Sequence, residues 1–365
     1  MKNLYFDYAA TTPLSEEALG AMMPVLKEDF GNPDSLHTFG RTAAKYVTDA
    51  RDTIAGVLGV NPSEVYFTSG GTEADNWAVR GMGKGDALLS PIEHAAVLST
   101  AELRGGKVHF CAVGRDGIVP AGELGRTMSE NVGLVCVMAV NNETGCIQPL
   151  AEIAEEVHAR GALLFSDCVQ AACSQELAEI CKLADGISLS AHKIGGPKGV
   201  GALVVKKGAA LKPLIAGGEQ ERSLRGGTLN VAGIVGFAKA LELAQQKRKE
   251  FCAHTGRLRD LFEDAVCSAL EGEVCIDGEH RAPNISHLTF RRGGEALLNL
   301  LDLKGVAASG GAACSAHAVL PSHVLTAMGR SDEEARRGIR FSFGEQTTEE
   351  EVLLAARIVT ACVKR

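Results

Sequence analysis

What this chain lacks narrows its function early. No apolar run approaches the ~20 residues a membrane-crossing helix needs, so no membrane partner is expected. The opening MKNLYFDYAATTP has no apolar core of a secretory signal, which points to the cytoplasm. None of the 11 cysteines forms a CxxC pair. A structural zinc site is therefore not expected, and the expected metal content is none. In a cytoplasmic chain those thiols should be mostly free, and most of them lie in apolar segments that read as core. Positive charge is not in excess either: 37 Lys and Arg stand against 45 Asp and Glu, a net −8. That balance argues against nucleic acid as a direct partner. Internal repeats and low-complexity tracts are absent.

What is present is the material of a large core. The 365 residues are 45% hydrophobic, and at ~150 residues per domain the length suggests two or three domains. Leu36, Phe39, Ala43, Val47, Ala50, Ile54 and Val57 recur at helical spacing and predict one helix face. Beyond it, short apolar runs alternate with helical stretches: EVYFTS, TEADNWAVRGM, DALLS, EHAAVLSTAELRG, GLVCVMAV, PLAEIAEEVHARG, ALLFSD, DGISLS and GALVVKKG. The proline opening PLAEIAEEVHARG suits the first turn of a helix. This alternation predicts an α/β fold with a mostly parallel sheet covered on both faces. From about Asn230 a long helical stretch leads into a different pattern, NISHLTF, GGEALLNLLDL, VAAS and GIRFSFG. A last helix opens on the capping-box sequence Thr348 to Glu351. The change of pattern predicts a second, smaller domain.

In open α/β sheets ligands bind beyond the carboxyl ends of the strands, and several polar residues fall there: Thr72, Asn142, Asp167, His192 and Lys193. Each has a bland reading. The SGGTEA turn can cradle an anion at a helix start or be only a turn. Lys193, after an apolar strand, pairs with a carboxylate, forms a Schiff base, or sits at the surface. Asp167 either caps a helix or, if buried, needs a cation such as a protonated pyridine nitrogen. Arg340, between apolar neighbours in GIRFSFG, grips a carboxylate or closes an internal salt bridge. Cys314, in ASGGAACSAH, has no bulky neighbour to pack it, which suits a nucleophile that must travel.

Taken together and in order, these segments are familiar. FDYAATTPL, GNPDSLHTFGR, FTSGGTEADN, IEHAAV, NNETGCIQP, DCVQAA, SLSAHKIGGPKGVGAL, GGEQERSLRGGT, SGGAACS, PSHV and IRFSFG run almost end to end, and with them the chain resembles the NifS/IscS-like cysteine desulfurases. Those belong to the class V aminotransferase group of fold-type-I pyridoxal-phosphate (PLP) enzymes. The resemblance implies a large PLP-binding domain over 15–250. It also implies a small α+β domain over 251–365 that includes the N-terminal segment 1–14 and carries a mobile cysteine loop at 308–318.

The resemblance also implies roles. Lys193 matches the lysine that carries the cofactor, pyridoxal 5'-phosphate. Asp167 matches the partner of the pyridine nitrogen, Gln170 the contact to the phenolic oxygen, and His94 the histidine stacked on the ring and implicated in proton transfer. Thr72, Ser190 and His192 match phosphate ligands, with Gly71 at the helix start, and Thr228 matches a residue reaching the phosphate of the other subunit in a homodimer. Asn142 and Arg340 match the pair holding the carboxylate of the substrate, L-cysteine. Cys314 matches the cysteine that takes sulfur as a persulfide for a sulfur-acceptor protein, an iron–sulfur scaffold or a thiolation enzyme. Departures are Gly310 and Ala312 where serines are common, His317 three residues past Cys314, and Cys168 beside Asp167. The chain stops soon after its last helix, so a scaffold-docking tail is not expected. A selenocysteine lyase, another class V enzyme such as an aminotransferase, and a non-catalytic PLP-fold scaffold are the competing readings. The last is disfavoured by intact Lys193, Asp167, Arg340 and Cys314.

Overall fold

A computed structural model describes residues 3–310 and 320–364. Its strands in chain order are β1 (Leu4–Tyr5), β2 (Val65–Thr68), β3 (Asp86–Leu89), β4 (Val108–Phe110), β5 (Val132–Cys136), β6 (Leu163–Asp167), β7 (Gly186–Ser190), β8 (Gly201–Val205), β9 (Val274–Ile276), β10 (Ile285–Phe290), β11 (Val306–Ala307), β12 (Ser309–Gly310) and β13 (Gly338–Ser342). The main sheet has the order β2-β8-β7-β6-β5-β3-β4, and β8 alone runs against its neighbours. The carboxyl ends of β2, β3, β5, β6 and β7 therefore open on one edge. All five residues of β7 and of β8 are buried, as expected for central strands covered by helices on both faces.

The helix over Thr38–Leu58 shows how local chemistry sets an element. His37 caps it, Nδ1 accepting from the Gly40 amide at 3.3 Å, and Gly59 ends it at φ +66°, a conformation that favours glycine. Ala43, Val47, Ala50, Ile54 and Leu58 form its buried face. Truncating Ile54 or Leu58, both 0% exposed, costs about 2–5 kcal/mol. Leu36 and Phe39, expected on that face, are exposed instead. Leu36 precedes the cap, and Phe39 stacks on Phe30 with ring centroids 5.8 Å apart. Pro149, expected as the first helical residue, is the cap of the helix Leu150–His158. The long helical stretch from Asn230 is two helices, Val231–Gln246 and Arg248–Ala269. The final helix, Glu349–Val363, has the expected capping box at Thr348 and Glu351.

A second body of core forms from Phe6, Leu258, Phe262, Leu288, Phe341 and Phe343, around the antiparallel sheet β12-β13-β10-β9. The N-terminal β1 pairs in parallel with β11, and Asp7 bridges Ser342 at the end of β13. From there the N-terminal chain turns towards the carboxyl edge of the main sheet. No helix among the described residues is long and apolar enough to cross a membrane.

Candidate active site

The polar strand ends converge where the N-terminal segment meets the main sheet. Asp167 ends β6, is 5% exposed, and its Oδ1 accepts from the Val169 amide at 2.8 Å. Burial pushes its carboxyl up, against the Val169 amide and the nearby His94 and Lys193. Among the described residues it has no ion pair. Lys193 closes the short 3₁₀ turn Ala191–Lys193 directly after β7. Its Nζ donates to the carbonyls of Ala9 at 2.7 Å and Ala10 at 2.8 Å. Gln170 Nε2 donates to the same Ala9 carbonyl at 2.8 Å. The segment FDYAATTP thus supplies the backbone acceptors that orient the lysine. Thr11 and Thr12 tie it down, Thr11 Oγ1 lying 3.1 Å from His192 Nδ1 and Thr12 donating to the His192 carbonyl.

His94 caps the helix Ala95–Ala101, its Nδ1 accepting from the Ala96 amide at 3.1 Å. That contact leaves Nδ1 without a proton, so the neutral ring carries it on Nε2. Burial lowers the proton affinity of His94 and Asp167 restores part of it. His192 is held down to about 4 by burial and by Lys193 and Lys198.

The helix Gly71–Gly81 begins at this edge with no side-chain cap. A Cβ on Gly71 would lie 2.7 Å from Val169 Cγ2, and one on Gly70 would lie 3.8 Å from Ser190 Oγ. Glycine keeps the helix start against the buried Ser190, with Thr72 exposed beside it. Glu73 receives Arg225 at 2.8 and 3.2 Å, anchoring the loop that leads to the exposed Thr228.

Arg340 is 6% exposed in the middle of β13. It does close an internal salt bridge, Nη2 donating to Asp7 Oδ1 at 2.8 Å, and Nη1 donates to the Asn142 carbonyl at 2.6 Å. Its Nε has no partner among the described residues. Asn142 is placed by its neighbour: Asn141 Oδ1 accepts from the amides of Glu143 and Thr144, both at 2.9 Å, turning the NNETG loop.

Cys314 and His317 lie outside the described residues, as does most of the expected loop 308–318. The loop departs from β12, where Ser309 pairs with Arg340. After it, Ser322 donates to Glu143 Oε2 at 2.5 Å and His323 Nε2 donates to the Glu93 carbonyl at 2.9 Å. Cys168 is fully buried, and burial pushes its thiol well up.

Reading the sequence missed five groups at or beside the site: Asp7, the Ala9 and Ala10 carbonyls, and the buried carboxyls of Glu93 and Asp75, on both of which Asp167 acts. The carbonyls have no side-chain signal at all. Glu93 and Asp75 stand among other polar residues, in SPIEHAAV and GTEADNWAV, so the sequence gives no sign that they are buried.

Comparison with known proteins adds the following. The family described as Aminotransferase class-V matches residues 4–354. The protein called cysteine desulfurase IscS of Dictyoglomus turgidum is 40% identical, over 96% of this chain and 92% of its own. A solved structure titled NIFS-LIKE PROTEIN superposes with a TM-score of 0.90 at 36% identity, covering 99% of both chains. Another, titled SspA in complex with cysteine, superposes with a TM-score of 0.82 at 32% identity over 94% of this chain and all of that one.

Proposed function

The chain belongs to the class-V aminotransferase family, and we propose that it is a cysteine desulfurase, removing sulfur from L-cysteine to leave L-alanine and a persulfide on Cys314. The observation that carries this reading is full-length similarity to cysteine desulfurases in a chain whose Lys193, Asp167 and His94 meet at one sheet edge.

Pyridoxal phosphate fits these residues. Asp167 is a buried carboxylate with no ion pair among the described residues, which suits a protonated ring nitrogen. The uncapped helix start at Gly70 and Gly71, beside Ser190, suits a phosphate. Lys193 would hold the cofactor covalently, Gln170 its phenolic oxygen, and Thr72, Ser190 and His192 its phosphate, with Thr228 of a second copy completing that site. When bound, the cofactor supplies an electron sink that makes the α-proton of an amino acid removable.

The chain's own groups do the rest. Arg340 and Asn142 hold the substrate carboxylate. His94 moves protons at Nε2, the nitrogen not engaged by the Ala96 amide. The thiolate of Cys314 attacks the substrate sulfur. The new S–S bond forms as the C–S bond breaks, and its electron pair stays with the carbon that becomes the alanine methyl after protonation. The sulfur then passes to an acceptor protein, in a cytoplasmic homodimer with a PLP-binding domain over 15–250 and a smaller one over 251–365 that includes residues 1–14.

Borohydride reduction of the holoprotein followed by peptide mass spectrometry tests the cofactor position. The reduced cofactor is expected on the Lys193 peptide, and Lys193→Ala should carry none and show no turnover. A label on any other lysine would overturn the reading.

A further inference from the structure

Three carboxylic acids lie together beneath the site: Asp75, 1% exposed, Glu93, 0%, and Asp167, 5%. Each acts on the charge of another, and none has an ion pair among the described residues. Glu93 has a direct hydrogen bond, Oε1 accepting from the Met138 amide at 2.7 Å, while its Oε2 has no partner among the described residues. Asp75 sits one turn into the helix Gly71–Gly81, and its Oδ1 is 2.5 Å from Ser188 Oγ. Ser188 is itself 0% exposed and stands opposite Asp167 in the pairing of β6 with β7. Its hydroxyl also lowers the proton affinity of the Asp167 carboxyl, so it acts on both acids.

A serine hydroxyl has one proton to donate. Placed between two carboxylates, it can serve one anion only. The other acid must bring its own proton or face a lone pair in a dry site, where two like charges are costly. The surroundings decide which acid is ionised. Asp167 has the Val169 amide, His94 and Lys193 on its side. The groups around Asp75 are Asp167, Glu93 and the buried thiols of Cys136 and Cys168, with no cation among them. Burial and those two acids push Asp75 well above the ordinary carboxylate range.

We propose that Asp75 is a neutral carboxylic acid that donates to Ser188 Oγ, so that Ser188 donates to Asp167 and holds it as the anion facing the cofactor ring. Asp75 is then a positioning residue, acting two hydrogen bonds away from the group that touches the cofactor. The inference rests on the reading of Asp167 given above.

Two measurements on full-length holoprotein test it. In infrared difference spectra at neutral pH, Asp75→Asn should lose one carbonyl band of a protonated carboxylic acid. This band does not depend on the cofactor, so it reports on Asp75 even if the role of Asp167 is wrong. In a pH titration of the visible absorbance of bound cofactor, Asp75→Asn should leave the midpoint unchanged, because the amide still donates to Ser188. Ser188→Ala should raise it by about one pH unit, the size expected for one hydrogen bond to a charged group, because its loss leaves Asp167 a stronger base. Asp75→Ala leaves Ser188 with Asp167 as its one acceptor and should keep the midpoint near wild type. If Asp75→Asn keeps the acid band, or lowers the midpoint as loss of a negative charge would, the proposal fails. It fails equally if Ser188→Ala titrates like the wild type. A wild-type midpoint in Asp167→Ala, with the acid band still lost in Asp75→Asn, would instead overturn the role given to Asp167.

Discussion

The guanidinium of Arg340 is paired with the carboxylate of Asp7, Nη2 to Oδ1 at 2.8 Å, although 333 residues separate them in the chain. The cation proposed to hold the substrate carboxylate is therefore already shared with the protein's own N-terminal segment, which orients it from one side while the Asn142 carbonyl orients it from the other. Arg340→Ala should remove a charge-assisted contact worth about 1.5–3 kcal/mol, raising KM for cysteine roughly 10- to 100-fold while cofactor occupancy stays near wild type. Steady-state kinetics with spectrophotometric cofactor counts check this. Loss of cofactor with an unchanged KM would contradict it. Asp7→Asn keeps an acceptor but removes the competing charge, so KM should fall.

Only a thiolate attacks sulfur, and most of the described thiols are poor candidates. Burial raises Cys111, Cys173 and Cys181 to about 12 and Cys168 well above its ordinary value. After brief exposure to cysteine, mass spectrometry without reductant should find one added sulfur on the peptide holding Cys314. Cys314→Ala should bind cofactor and cysteine but release alanine far more slowly. An added sulfur on the Cys168 peptide would sink the assignment.

Burial of Glu93 raises its carboxyl to about 8 from 4.5. The folded chain then holds a proton that the unfolded chain has lost. Stability contributed by this group is therefore present below about pH 4.5 and falls as pH rises to about 8. Glu93→Gln removes that dependence. Relative to wild type it should gain stability across that window, by up to a few kcal/mol at the upper end. Denaturant unfolding at several pH values measures the difference, and a parallel pair of pH profiles would refute it.

Phe30, Leu36 and Phe39 are 73, 91 and 57% exposed and lie in one stretch of chain, an apolar surface of the kind that a partner covers. Together with the exposed Thr228 they lead us to expect a homodimer. Light scattering should give twice 38.3 kDa, and Phe39→Asp should shift the mass toward that of one chain and weaken cofactor retention. An active wild-type monomer would count against it.

The strand and helix alternation was legible because periodicity records which side of an element is apolar. A run such as DGISLS, short and bounded by polar residues, reads as a strand, and all five residues of Gly186–Ser190 are buried. The candidate residues at strand ends were legible for the same reason, since a polar residue closing such a run marks the sheet edge. Leu36 and Phe39 misled because apolar spacing does not say whether a face meets the core or another surface.

The sequence by itself therefore determined the order of elements, their caps and the chemical types brought to the sheet edge. Those follow from interactions within a few residues, such as Thr348 with Glu351 or His37 with Gly40. Tertiary structure alone decided which groups become partners. The Ala9 and Ala10 carbonyls reach Lys193, Asp7 takes one edge of Arg340, and Asp75 meets Ser188 at a separation of 113 residues. The protonation of a carboxylate depends on its desolvation and on the charges around it, and both exist only once distant segments have packed together.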